Sequence, residues 1–475
     1  MTFKLRALFG ACAVAALATA ATAETTITVA TVNNGDMIRM QKLMPDFTAK
    51  HPDIKVNWVT LEENVLRQKV TTDIATKGGQ YDVMTIGTYE VPIWAKQGWL
   101  VSLDDLPASF DVNDLLPSIR AGLSYDGKLY ASPFYGESSF TMYRKDLMKK
   151  AGLEMPEAPT WSFIRKAADA MTDKKAGIYG ICLRGKAGWG ENTAFLTAMS
   201  NSFGARWFDM KWKPQFDTKP WHDTLSFYVD MMKADGPPGV SNNGFNENLA
   251  LFQQGKCGMW IDATVAGSFV TDPKASKVAN DVGFALAPNK EGVAKRANWL
   301  WSWALAIPAG TKHAAAAKTF IDWATSKGYL DLVASKDGWA NVPPGTRTSL
   351  YENQKYLDAA PFAALTLKSM QLADPTHPTV DPVPYVGVQF VAIPEFQGIG
   401  TAVGQQFSAA VAGTMSVDQA LKNAQAPLFP HCTAGCATRG TARPWPSHRD
   451  NKARTRASRE EEEIWRPSIP APPRG

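Results

Sequence analysis

Three segments that read as β-strands each end in a cluster of polar residues, and a helical pattern follows each one. Thr26-Ile27-Thr28-Val29-Ala30 runs into Asn33-Asn34-Gly35-Asp36, and Ile54-Lys55-Val56-Asn57-Trp58-Val59 into Glu62-Glu63-Asn64. Tyr81-Asp82-Val83-Met84-Thr85-Ile86 runs into Gly87-Thr88-Tyr89-Glu90. Helical patterns occupy 37–50, with Pro45 as a kink, 63–77 and 91–97. Gly78-Gly79 and Gly98 stand where C-terminal caps are expected. Strand–helix alternation of this kind predicts βαβαβ and a parallel sheet. The carboxyl ends of strands in an open parallel sheet form a crevice where small polar ligands bind. Asn34, Glu63, Tyr89 and Glu90 are therefore candidate ligand-facing residues, each in competition with a role as a helix cap or surface group. At least two of the four should line the cleft.

The two termini differ from the body. Residues 1–23 read as an export signal: Lys4 and Arg6 are the charged start, 8–17 the apolar stretch, and Ala21-Thr22-Ala23 the cleavage site. The apolar run is shorter than the ~20 residues of a membrane span. Lipid attachment at Cys12 is disfavoured by the Phe9-Gly10-Ala11 that precedes it. From Pro427 the periodic pattern gives way to Arg, Pro, Ala and Gly, with Pro444-Trp445-Pro446 and the acidic run Glu460-Glu461-Glu462-Glu463. Such a composition cannot bury a core, so 427–475 is expected to be a disordered tail, and an out-of-frame reading of the gene would explain it. The formal charge of +5 belongs largely to these ends. Without Lys4, Arg6 and the tail, with its nine basic and five acidic residues, the body carries about −1. A nucleic-acid partner has no electrostatic footprint here.

Across 130–137 the chain reads Tyr-Ala-Ser-Pro-Phe-Tyr-Gly-Glu, an extended crossing segment in which Pro133 holds its neighbour out of helix. Helical patterns follow at 146–151, 161–171, 224–234 and 246–254, then buried strands at 258–261 and 301–307, and an Ala-rich helix at 313–326. Two lobes joined by more than one crossing account for extended, proline-marked segments in mid-chain. Of the five cysteines, Cys182 and Cys257 lie in the body, and an oxidising compartment permits either a disulfide or two buried thiols. Cys432, Cys436 and His431 form only a weak half-site for metal. The histidines show no ligand spacing, and there is no HExxH, GxSxG or phosphate-cradling loop. No cofactor, metal or catalytic residue is expected.

Between Thr25 and Gln425 the chain resembles the solute-binding proteins of bacterial ABC importers for sugars, the broad group that includes the maltose-binding protein, and most closely the sorbitol/mannitol (polyol) branch. Asn33-Asn34-Gly35-Asp36-Met37, Thr60-Leu61-Glu62-Glu63-Asn64, Pro133-Phe134-Tyr135-Gly136-Glu137-Ser138, Cys182-Leu183-Arg184-Gly185-Lys186, Trp189-Gly190-Glu191-Asn192 and Trp260-Ile261-Asp262-Ala263-Thr264 carry the resemblance. It implies an α/β periplasmic-binding-protein fold of type II character. Each lobe would be a mainly parallel sheet flanked by helices, joined by a multi-crossing hinge. Expected bounds are 24–132 with 306–352 for the first lobe, and 133–305 with 353–426 for the second. The resemblance also implies a periplasmic location, ABC permease membrane subunits as partners, and a terminal packing helix that the change near Pro427 would remove. A monomer is expected.

Enclosing a polyol requires a partner for every hydroxyl taken from water, at ~1–3 kcal/mol for each one missed, and flat apolar surface for its C–H faces. Carboxylates and arginine make the stronger, charge-assisted hydrogen bonds. Glu137, just past the crossing segment, matches a sugar-binding carboxylate of the family, with hinge bracing as the plainer role. Asp262 ends a buried strand and either meets ligand or caps a helix; Arg184 either binds hydroxyls or pairs with a carboxylate. Trp260 and Trp301, then Trp189, are the candidate apolar platforms. Trp94, Trp161 and Trp323 fit helical cores, and Trp207, Trp212 and Trp221 lobe packing. The expected function is capture of mannitol- or sorbitol-type polyols. The alternatives are a disaccharide or pentitol ligand, or a secreted glycosidase using paired carboxylates.

Overall fold

The computed structural model describes residues 24–426. The expectations for the export signal and for the tail lie outside the described residues.

The opening third folds as the alternation requires. Strand β1 (Thr25–Val32) pairs in parallel with β2 (Ile54–Leu61) and with β3 (Val83–Gly87). Helix Gly35–Lys50 follows β1 and is capped by Asn34, whose Oδ1 accepts from the Met37 amide at 2.9 Å. Helix Glu63–Thr76 follows β2, capped by Glu62; its left-handed closing residue is Lys77, one position before the expected glycines. Helix Glu90–Lys96 follows β3, and Gly98 takes the positive φ beyond its end. A short hairpin, β4 (Ser124–Tyr125) and β5 (Lys128–Leu129), turns at Asp126-Gly127 with both residues at positive φ, as a tight two-residue hairpin loop demands.

The crossings build two sheets. Strands β6 (Ala131–Glu137) and β7 (Ser139–Arg144) are nearly continuous, yet β6 belongs to the first sheet and β7 to the second. The second sheet adds β8 (Tyr179–Cys182), β9 (Cys257–Ala263) and β10 (Val282–Leu286), in the order β10-β7-β9-β8. Strand β11 (Trp301–Ala306) returns to the first sheet, whose order is β2-β1-β3-β11-β6.

Two corrections follow. The sheets are mixed: β11 is antiparallel to both β3 and β6, and β7 is antiparallel to both β9 and β10. Each reversed strand is the one entered directly after a crossing. It arrives from the other lobe, so no right-handed crossover helix sets its direction. The expected lobe bounds at 132/133 and 305/306 cut through β6 and β11, because pairing in the first sheet extends to Glu137 and begins at Trp301. A third passage lies between Ser349, bonded to Asp114 of the first lobe, and helix Ala363–Gln371, which packs on β7 and β10. Two passages touch at Gly136 and Gly345, where the Gly136 amide donates to Pro344 O at 2.9 Å. A Cβ on Gly136 would lie 2.1 Å from Gly345 O, so no larger residue fits there.

Trp207, Trp221, Phe216 and Phe396 pack together in the second lobe, with Trp207 5.0 Å from Phe216 and 5.1 Å from Phe396. Helix Val417–Gln425 closes this lobe against helices Lys219–Asp235 and Phe396–Val411. Gln425 Oε1 accepts from the Phe216 amide at 2.8 Å. The chain thus supplies a packing helix up to Gln425, although its ending differs from that expected of the family.

Cys182 and Cys257 are joined by a disulfide, with Cα atoms 5.8 Å apart, which resolves the alternatives left open above. It ties β8 to β9. For the 75-residue separation, chain-entropy reasoning gives ~4 kcal/mol of stabilisation. Replacing both cysteines by serine should lower the unfolding free energy in urea by about 2–4 kcal/mol; an unchanged transition would contradict this.

Candidate functional site

The carboxyl ends of strands from both sheets converge on one cavity. Asn33 and Asn34 follow β1, Glu62 and Glu63 follow β2, Glu137 ends β6, Arg184 lies two residues past β8, and Ala263 ends β9. Lys186, Glu191 and Glu247 complete the polar wall, while Tyr135, Phe245 and Trp303 contribute apolar surface. The volume is about 70 Å³, against ~10–15 Å³ for one water measured in the same way.

Arg184 is the buried cation of this wall. Its Nη2 donates to Asp262 Oδ1 at 2.7 Å, and its Nε to Asp262 Oδ2 at 2.9 Å. Its Nη1 reaches Gly190 O at 3.0 Å and Glu191 Oε2 at 3.3 Å. Burial works against its charge, and the Asp262 and Glu191 carboxylates more than offset that, raising its pKa. Asp262 is fully buried and is itself held by the Trp260 indole, at 3.1 Å, and the Ala263 amide, at 2.7 Å.

A second cation, Arg67, lies under the opposite side. It donates twice to Glu63 Oε1, at 2.8 and 3.0 Å, and once to Glu90 Oε1 at 2.8 Å. Three indoles enclose its guanidinium, with centroids at 3.9 Å (Trp189), 4.5 Å (Trp303) and 5.1 Å (Trp301). Such cation–π contacts are worth ~2 kcal/mol or more when desolvated. Glu90 also accepts from the Gly87 amide at 3.0 Å. Burial pushes the Glu90 carboxyl up, against the pull of Arg67. The Tyr89 hydroxyl donates to Ile393 O at 2.8 Å, across the seam between the lobes.

The ten residues singled out from sequence therefore divide. Asn34, Glu63, Glu137 and Arg184 line the cavity. Asp262 and Trp260 stand behind Arg184, while Glu90, Trp189 and Trp301 surround Arg67 and Tyr89 bonds across the seam; none of these six forms the wall. Trp189 and Trp301 pack on Arg67 and Trp260 bonds Asp262, whereas Trp303 both packs on Arg67 and lines the cavity. Two wall residues had a sequence signal. Trp303 follows Trp301 by two positions in a strand and Tyr135 precedes Glu137 by two, so the period-2 rule puts each on its partner's face. Lys186, Glu191 and Glu247 lie on loops or a helix start that no periodicity marks.

Glu137 is 5 % exposed, and its Oε2 has no hydrogen-bond partner among the described residues. Burial pushes its carboxyl well above the usual range; Arg184 opposes this, and Asp262 and Glu63 add to it. Glu191 is pushed up to about 7, first by burial and then by Glu63, with Arg184 and Lys186 opposing. An unfolded glutamate titrates near ~4.3. Between there and about 7 the folded chain holds a proton that the unfolded chain has lost. Stability should therefore fall as pH rises through that window, by up to ~3 kcal/mol from this group. Denaturant titrations from pH 4 to 8 should show Glu191→Gln reducing the fall by more than ~1 kcal/mol; an identical slope would contradict the assignment.

Comparison with known proteins agrees with this architecture. Residues 34–330 match the family model described as bacterial extracellular solute-binding protein. A mannitol-binding protein of Pseudomonas aeruginosa is 59% identical over 415 residues, covering 87% of this chain and 95% of that protein. A crystal structure of an ABC transporter solute-binding protein from Agrobacterium vitis with bound D-mannitol is 74% identical, with a TM-score of 0.84 over 84% of this chain and 96% of that one. A ribitol complex from Agrobacterium radiobacter is 25% identical, with a TM-score of 0.75, and covers 85% of this chain and 98% of that one. These relatives are binding proteins, and they lend the glycosidase alternative no support. Among the described residues no helix is long and apolar enough to cross a membrane. The chain belongs to the bacterial extracellular solute-binding proteins, with the two-lobed α/β fold of that family.

Proposed function

We propose that this protein is the periplasmic solute-binding component of an ABC importer for hexitols, capturing mannitol and delivering it unchanged to the membrane permease. The observation that carries the reading is a small cavity rich in carboxylates, in a chain 74% identical to a solute-binding protein with D-mannitol bound. Polyol hydroxyls donate to Glu63 and Glu137 and accept from Arg184, with Asn34 beside them in the wall. Trp303, Tyr135 and Phe245 cover the C–H faces. The export signal read at 1–23 supports delivery to the periplasm.

Closure of the lobes is the functional step, a hinge transition in which the solute favours the closed form. Several contacts span the mouth: Lys186 Nζ to Glu62 Oε1 at 2.7 Å, Asn64 Nδ2 to Ala187 O at 3.2 Å, and Thr71 Oγ1 to Gln397 Oε1 at 3.1 Å. The permease would recognise that closed form.

Calorimetric titration with mannitol, sorbitol, ribitol, glucose and maltose tests the ligand class. Hexitols should bind stoichiometrically without products, and maltose should not bind. Glu137→Ala should weaken mannitol binding about tenfold or more, ~1.4 kcal/mol, by removing an acceptor. Asp262→Ala should do the same by releasing Arg184 from its position. Unchanged affinity in both variants would reject the site.

A further inference from the structure

The cavity wall is unevenly charged. Glu62, Glu63, Glu137, Glu191 and Glu247 face it, against Arg184 and Lys186 in the wall; Arg67, behind the wall, balances Glu63 and Glu90. Both wall cations are already engaged. Arg184 gives Nε and Nη2 to Asp262 and Nη1 to Gly190 and Glu191, and Lys186 is drawn to Glu62 at the rim. Glu247 spends one oxygen on the Gly244 amide at 2.8 Å. Glu137 is left with no cation bonded to it, buried to 5 % exposure, its Oε2 unpartnered among the described residues and its side chain in the wall.

A neutral hydroxyl satisfies that oxygen with one ordinary hydrogen bond. An ammonium group of nearly the same size does more. It makes a charge-assisted bond about twice as strong and supplies the positive charge that the cluster lacks. It carries donors only, which matches a wall whose surplus is in acceptors. We propose that the same cavity accepts protonated amino polyols, hexitols with a terminal hydroxyl replaced by an ammonium group, and seats the ammonium on Glu137. The proposal rests on the polyol reading above and extends its ligand class to a cation. Burial, and then the Asp262 and Glu63 charges against the pull of Arg184, hold the Glu137 carboxyl up; a bound ammonium draws the proton off Glu137 and completes a charge-assisted pair. By the same electrostatics, a terminal carboxylate in place of the hydroxyl is rejected.

Calorimetry of the protein in low-salt buffer at neutral pH, with D-mannitol, 1-amino-1-deoxy-D-mannitol and D-mannonate, tests this. The amine should bind about threefold or more tighter than mannitol, and mannonate about tenfold or more weaker. Glu137→Gln should bring the amine-to-mannitol affinity ratio to about one or below, as expected once the charged acceptor is gone. An amine that binds wild-type protein no better than mannitol would overturn the proposal, and so would an amine preference that survives Glu137→Gln. Mannitol giving no binding heat, whatever the amine does, would instead remove the polyol reading on which the proposal stands.

Discussion

A guanidinium taken out of water sets the terms for the cleft. Stripping an ion of solvent costs several kcal/mol even after relaxation, and Arg184 is 6 % exposed. The surrounding architecture meets that cost. Strand β9 delivers Asp262 to Nε and Nη2, the loop after β8 gives Gly190 O and Glu191 to Nη1, and Trp260 with the Ala263 amide fixes Asp262. The disulfide serves the same end. Cys182 lies two residues before Arg184 and Cys257 five before Asp262, so the bond that joins β8 to β9 also holds cation and anion in register. Arg184 then reaches the cavity with its direction fixed, and its hydrogen bonds need not be rebuilt when a solute arrives.

Arg67 solves the matching problem at the seam. Glu63 and Glu90 supply its counter-charge. Trp301 and Trp303 enclose it from β11 of the first sheet, and Trp189 from the loop after β8 of the second lobe. Part of this enclosure exists only when the lobes meet. Together with the Tyr89 bond to Ile393 O, it gives closure an energetic contribution separate from the solute. A binding protein of this kind needs a modest bias: enough for the solute to tip the equilibrium, too little to shut the lobes without it.

The parts of this arrangement that were legible in sequence share one physical origin. The ends of parallel strands β1 and β2 open on the crevice, so local pattern pointed to Asn34 and Glu63; the end of β3 does not, and Tyr89 and Glu90 turn to the seam and to Arg67 instead. Glu137 was pointed to by its place just past the Pro133-marked crossing together with the family resemblance. The direction of β7 and β11 was not legible, since it depends on which lobe the chain arrives from. Trp189, Trp260 and Trp301 lie outside the cavity lining for a related reason. An indole offers the same flat surface to a sugar and to a guanidinium, and only the three-dimensional position of Arg67 decides between them. Lys186, Glu191 and Glu247 owe their place in the wall to the approach of two lobes, which no local signal encodes.

On the proposed reading, Glu63 and Glu137, beside two arginines held by their own ion pairs, receive the hydroxyls of a small neutral polyol enclosed between the lobes. A crystal structure of the D-mannitol complex tests it most directly. The solute should lie among Asn34, Glu63, Glu137 and Arg184, with a hydroxyl within hydrogen-bond distance of Glu137 Oε2 and the Arg184–Asp262 pair undisturbed. Mannitol found outside this cavity, or inside it with Glu137 Oε2 still unpartnered, would contradict the account.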